Sequence, residues 1–320
     1  MHLFVPYIAS SAVIVMSIAV STAAGSTAGK LAPLYVGSVS FLVTSLLVMP
    51  SQGRQERFYM GIIGDKLSPW YEPSRDGTLN VMMTGAILGY VVMAGGLTLL
   101  DLVSPARWKT QGSKSYFSAG SWLRATSVSL FNMFVCSWLV MVPVWIVHRC
   151  GTLRGGSPLA TAGADDVLHP STCLLNYIIH TLVIDVWFYS THCALHWPAF
   201  YALIHKKHHL FKAPNAVACM YANPVEFCIG NVMGVILGPA LTNCSPVECA
   251  FWMCFSLAST SASHSGYRFM GAADHDLHHE HLYCNYGVGV FMDKLFQTEF
   301  EGSELQAKVN QRKKLADKSQ

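Results

Sequence analysis

Long unbroken apolar runs, rather than helical or strand periodicity, dominate the hydrophobic pattern of this chain. Leu3 to Ala24, Leu31 to Pro50, Asn80 to Leu100 and Val128 to Val147 contain no charged side chain. Each is close to the roughly 20 residues that a helix needs to cross a bilayer. Thr172 to Ser190 carries Asp185 as its single charge and reads as a fifth span with a polar end. Ile229 to Thr242 and Cys249 to Ser263 are shorter, and the polar residues 243–248 between them predict a hairpin, spanning or re-entrant.

The first arm of that hairpin places Gly230, Gly234 and Gly238 at fourfold spacing, so one helix face is bare enough for a neighbouring helix to approach closely. The segments 51–79, 102–127 and 149–170 hold the proline and glycine breakers and read as polar loops. The pattern predicts an all-α, polytopic membrane protein. Anchor helices and loops fill residues 1–170, unusual chemistry is confined to 171–300, and a basic tail runs over 301–320. Small residues after the first apolar run suggest a cleavable leader, but no basic region precedes that run, so a retained helix is expected.

Composition agrees with lipid as the solvent: 52% of residues are hydrophobic, 12% are charged and the mean hydropathy is +0.35. Ten cysteines are scattered without paired spacing and read as reduced, packed thiols. A net charge of +3, spread thinly, implies no nucleic-acid partner. Five spans before Thr191, with the hairpin returning to the same side, put fifteen of the 21 Lys/Arg on the side of the later polar segments. The positive-inside rule makes that side cytosolic. Asn243-Cys244-Ser245 is the one N-x-Ser/Thr sequon, and Pro246 after it argues against glycosylation.

Histidine changes the picture, because ten of the fourteen lie between His192 and His281. His192 and His196 are one helical turn apart. His205, His208 and His209 form an HxxHH pattern, which His275, His278 and His279 repeat after the hairpin. Such spacings gather imidazoles on one helix face. Imidazole suits iron, copper and zinc. Eight such rings exceed what one structural zinc ion needs and fit a dinuclear redox site with open positions better.

The ordered set Asp185-Val-Trp-Phe-Tyr-Ser-Thr-His192-Cys-Ala-Leu-His196, His205-Lys-Lys-His208-His209, His264-Ser-Gly-Tyr267 and His275-Asp-Leu-His278-His279 closely resembles the fatty acid hydroxylase/sterol desaturase superfamily. Asn285-Tyr-Gly and Asp293-Lys-Leu-Phe-Gln-Thr298 resemble its closing block. Within the superfamily, residues 205–226 look most like C-4 methylsterol oxidases and related hydroxylase-domain proteins. The resemblance implies an endoplasmic reticulum enzyme, multi-pass, with a cytosolic histidine-rich cap. It implies two iron ions, dioxygen as co-substrate and electrons from NAD(P)H through cytochrome b5 and its reductase. By position, His192, His196, His205, His208, His209, His264, His275, His278 and His279 become the candidate iron ligands. C-4 methylsterol oxidation is the expected activity, with fatty acyl hydroxylation or sterol C-5 desaturation as alternatives.

Several residues bear on that expectation. Where the family usually has His-Pro-x-Glu, this chain has Asn223-Pro-Val-Glu226. The Asn223 amide is either a weaker, neutral metal donor or a support for a ligand. Its presence motivates a reading from another class, a non-catalytic sterol-binding protein or a metal transporter. A transporter is expected to hold its ligands near mid-bilayer, whereas these clusters lie at helix ends and in polar loops. Asp185, two turns before His192, is placed to accept an imidazole N–H or to bond within the bundle. His281 reads as a surface residue ahead of an extra ligand. Lys206 and Lys207 read as interfacial flanks that could also meet an acidic electron carrier. Gln297 stands where the closing block commonly has glycine.

Overall fold

The computed structural model describes residues 73–103, 106–112, 119–137, 139–141, 144, 170–242, 244, 246–289 and 291–318. Every regular element among them is helical, and the extended backbone pairs in an isolated antiparallel bridge, Lys109 to Tyr267. The all-α expectation therefore holds. α1 is Pro73–Val103, α2 is Ala119–Phe131 followed by a π turn Asn132–Cys136, and α3 is Pro170–Leu195. α4 is Pro198–Leu203, and 3-10 turns follow at His205–Leu210 and Ala216–Met220. α5 runs over Pro224–Thr242 with a π segment at Phe227–Val232, and α6 is Pro246–Ser263. α7 (Ala273–His281), α8 (Phe291–Phe296) and α9 (Glu304–Lys318) complete the chain. Prolines open α1, α3, α4, α5 and α6, where the fixed φ suits the first turn and the missing N–H costs nothing.

Among the described residues, four helices are long and apolar enough to cross a membrane: Met82–Val103, Gly120–Met141, Thr172–Leu195 and Pro224–Thr242. The first and third match sequence expectations closely, and the expected spans Leu3–Ala24 and Leu31–Pro50 lie outside the described residues. The other two differ from the sequence reading. Gly120–Met141 starts eight residues earlier than the apolar run, because a helix carries Arg124 on its exposed face without ending there. Residues 119–127 are therefore helix rather than loop. The first hairpin arm likewise begins at Pro224, which lengthens it to 19 residues.

Glycine sets how closely these helices pack. A Cβ built on Gly85 or Gly89 of α1 would lie 2.1 Å from the Ala250 or Cys254 carbonyl oxygen of α6. On α5, a Cβ at Gly238 would lie 2.7 Å from the His180 Cα, and one at Gly234 would lie 3.2 Å from Trp187, so the bare stripe does face a neighbour, α3. The segment Ala216–Ala222 is wholly buried against α1, α2 and α6. Polar side chains within the bundle hold it there. Tyr90 and Ser129 donate to the Val217 carbonyl at 3.0 and 2.8 Å, and the Asn132 amide donates to Met220 and Ala222 at 2.9 and 3.1 Å. These bonds satisfy a non-helical backbone that would otherwise be unpaired inside an apolar bundle.

Candidate metal centre

The histidines stand where the bundle gives way to the cap. His192 lies in the last turn of α3, and His196 is the first residue past its end. His205, His208 and His209 occupy the 3-10 turn, His264 follows α6, and His275, His278 and His279 lie on α7. All nine assemble into two nests. His192, His196, His205, His209 and His278 form the first, and His208, His264, His275 and His279 the second; donor atoms within each nest lie within 4.8 Å of one another. Each HxxHH pattern is split. Its i and i+4 rings enter one nest and its i+3 ring crosses to the other, so the two repeats clasp reciprocally and the rings of His209 and His279 stand 4.7 Å apart between the nests.

Backbone carbonyls decide which nitrogen faces inward. Nδ1–H of His192 donates to the Tyr286 carbonyl at 2.7 Å, that of His278 to Cys284 at 2.7 Å, that of His264 to Thr260 at 2.8 Å and that of His208 to Tyr221 at 3.2 Å. His205 donates from Nδ1 to Glu226 Oε1 at 2.8 Å. A neutral ring that donates from Nδ1 has only a lone pair at Nε2. Those Nε2 atoms converge: His205 lies 3.0 Å from His192, 3.0 Å from His196 and 2.9 Å from His209, and His278 lies 3.2 Å from His209. In the second nest His264 is 3.3 Å from His208 and 2.9 Å from His275, which is 3.2 Å from His279.

Converging lone pairs repel unless a cation stands between them. Two imidazole nitrogens bound at right angles to one ion at about 2.1 Å are about 3.0 Å apart, which is the observed spacing. The donor set therefore fits a metal ion in each nest, with five imidazoles in the first and four in the second. Electrostatics agree, since metal ligation needs neutral rings. Burial takes His196 and His208 down to about 4 and His264 to about 3, from an ordinary 6.5. His205, His209, His275, His278 and His279 fall well below their ordinary value, through burial first and then the like charge of neighbouring imidazoles. All remain neutral donors at pH 7.

Carboxylates fix the walls of the nests. Glu226 is buried and orients His205, while its other oxygen, Oε2, has no hydrogen-bond partner. Asp185 bonds within the bundle rather than to an imidazole, accepting from the Gly289 and Met292 amides at 2.8 and 3.1 Å. Asp293 accepts from the Tyr286 and Gly287 amides at 2.8 and 2.7 Å. The two aspartates thereby clamp the loop whose Tyr286 carbonyl aims His192. The Asn223 side chain caps α5 by accepting from the Val225 amide at 3.0 Å. His281 stacks on Phe300, outside both nests.

Sequence reasoning passed over Glu226, although its place in the Asn-Pro-Val-Glu run was a usable signal. It also read 102–127 as a polar loop with room for an interfacial helix, and assigned no contact to it. There, buried Lys109 pairs with Asp101 and donates to the Ser265 carbonyl, pinning the turn after His264. No local sequence signal points to that contact, which spans more than 150 residues.

A cavity of about 210 Å³ opens from the nests, with His192, His205, His208 and His264 at its head. It descends between α3, α5 and α6, lined by Ile184 and Phe188, Val235, and Trp252 and Phe255. An apolar chain lying there would present carbon, not water, to the nests.

Comparison with known proteins agrees with this geometry. Residues 177–298 match the model of the fatty acid hydroxylase family. Fatty acid hydroxylase domain-containing protein 2 from Homo sapiens is 39% identical over 129 residues, which is 39% of this chain and 39% of that protein. Methylsterol monooxygenase erg25B from Aspergillus fumigatus is 29% identical over 288 residues, 83% of this chain and 93% of the relative. Very-long-chain aldehyde decarbonylase GL1-11 from Oryza sativa is 33% identical over 175 residues, covering 50% of this chain and 62% of the relative. No solved structure matches the chain. Fold and nests together define a helical, membrane-type protein with two histidine groups that could each hold a metal ion. Within that class, the chain carries a fatty acid hydroxylase domain over residues 177–298.

Proposed function

We propose that this protein is a non-haem di-iron oxygenase that oxidises a C–H bond of a membrane lipid, with a C-4 methylsterol as substrate. The observation that carries the proposal is the junction of two imidazole nests with an apolar cavity running between membrane-type helices. The methylsterol assignment is supported by the relative of that name, whose match extends over 83% of the chain. Iron bound in the nests would supply dioxygen activation. The chain's own residues orient the donors through Tyr286, Cys284, Thr260, Tyr221 and Glu226, and the α3, α5 and α6 walls keep water from the reacting carbon. Residues 1–170 serve as membrane anchor, 171–300 as catalytic domain and 301–320 as cytosolic tail. The proposed setting is the endoplasmic reticulum membrane with the nests facing the cytosol, where cytochrome b5 and its reductase pass electrons from NAD(P)H. Lys206, exposed beside the nests, offers positive charge to such an acidic carrier.

The test is turnover of a 4-methylsterol by the purified chain with iron, reductant and isotopically labelled dioxygen. One labelled oxygen atom in the product is expected, and His208→Ala is expected to abolish it while the protein still inserts into membranes. Product carrying oxygen from water, or turnover retained in His208→Ala, contradicts the proposal.

A further inference from the structure

The cavity wall below the nests carries a polar pair. The Trp252 indole N–H of α6 donates to the Val235 carbonyl of α5 at 2.8 Å, which sets the register of this antiparallel hairpin. Asn231, four residues before Val235 on α5, and Ser256, four residues after Trp252 on α6, both line the cavity on the side towards the nests. Asn231 is half-buried. Ser256 is 6% exposed, and its hydroxyl has no hydrogen-bond partner. Thr126 on α2 shares this lack of a partner but does not line the cavity, whereas Thr98, Ser127, Thr181, Ser190 and Thr191 each turn back onto the carbonyl four residues earlier. A buried hydroxyl without a partner is costly, and this one stands on a ligand-sized space.

We infer that Asn231 and Ser256 form a recognition site for the neutral oxygen of a lipid, an alcohol or a ketone. The serine O–H donates, and the asparagine amide both donates and accepts, so an alcohol meets a partner in each of its roles. Charge selects against an acid. Among the described residues the cavity lining includes Glu226, Asp274, Asp293 and Glu299 but neither lysine nor arginine, so a carboxylate or phosphate would meet no counter-charge from them. The inference rests on the lipid-oxygenase reading and narrows its substrate to lipids with an uncharged polar end. The anchored oxygen then fixes which carbon reaches the nests.

The test is equilibrium binding to the full chain in nanodiscs, with octadecanol against octadecane, a 4-methyl-3β-hydroxysterol against its 3-deoxy counterpart, and stearate as the acid. At least one alcohol is expected to bind about tenfold more tightly than its hydrocarbon partner, as one buried hydrogen bond provides, and more tightly than stearate. Ser256→Ala and Asn231→Leu should each reduce that preference to less than about threefold, while Ser256→Thr, which keeps the hydroxyl, should retain it. A preference unchanged in both Ser256→Ala and Asn231→Leu, or stearate binding as well as the alcohols, overturns the site. Metal content measured on the same samples separates the two layers. Wild-type protein that holds redox metal but shows no preference overturns the oxygen site alone, whereas protein that takes up no redox metal overturns the oxygenase reading and the site with it.

Discussion

Five of the nine imidazoles are aimed by what their outer nitrogens touch, and at residue scale this is where function is decided. A carbonyl or carboxylate that takes Nδ1–H leaves Nε2 as a donor to metal, and it also raises the basicity of that donor. Glu226→Ala is therefore expected to weaken metal binding at the first nest by about 10- to 100-fold, while Glu226→Gln, which keeps an acceptor oxygen for His205, should lose far less; metal titration of the two variants checks this. A second residue-scale prediction concerns Gln297, whose φ of 56° lies in the left-handed region. That conformation costs a side-chain-bearing residue about 1–2 kcal/mol, and glycine's greater freedom in the unfolded chain returns about half of the gain. Gln297→Gly should stabilise the protein by about 0.5–1 kcal/mol, read as a higher thermal midpoint in mild detergent. The ligand types and their order were legible in the sequence, because histidine spacing survives any detail of folding. The division into nests was not, since it depends on how the turn at His205–Leu210 and α7 face each other across the site, a contact between residues 69 positions apart. Nor was the role of Asp185, whose partners lie more than 100 residues away.

Helices position this chemistry through close approach at glycine. The α1 and α6 axes come together only because Gly85 and Gly89 present bare backbone to Ala250 and Cys254, whereas an added Cβ at Gly95 meets nothing within 4 Å. Gly89→Ala is expected to cost about 1–3 kcal/mol, since backbone on the far side cannot yield without moving α6. Gly95→Ala should change stability by less than about 0.5 kcal/mol or raise it slightly. Thermal unfolding of the two variants in one detergent makes the comparison. Because α6 leads directly into His264, Gly89→Ala should also lower metal occupancy of the second nest more than that of the first. The apolar runs announced the spans, and the stripe at Gly230, Gly234 and Gly238 announced the contact with α3. The Gly85 and Gly89 contact lay in a run where apolarity alone drew notice. Helix starts were least legible, because Arg124 and Glu226 sit inside helices whose ends a charge had been taken to mark.

The whole molecule joins a cavity of mixed apolar and polar lining to two adjoining nests. Five imidazoles would hold an ion in the first nest and four an ion in the second, so exogenous ligands are expected to enter at the second, where His208, His264 and His275 line the cavity. The most direct test of this account is the metal content of the full chain, purified from iron-replete cells in mild detergent, with His264→Ala alongside. Two iron ions per chain are expected, falling to about one in His264→Ala because the first nest keeps all five of its rings. A single iron in the wild-type chain, or zinc filling both nests with no dioxygen-dependent lipid product, would contradict it.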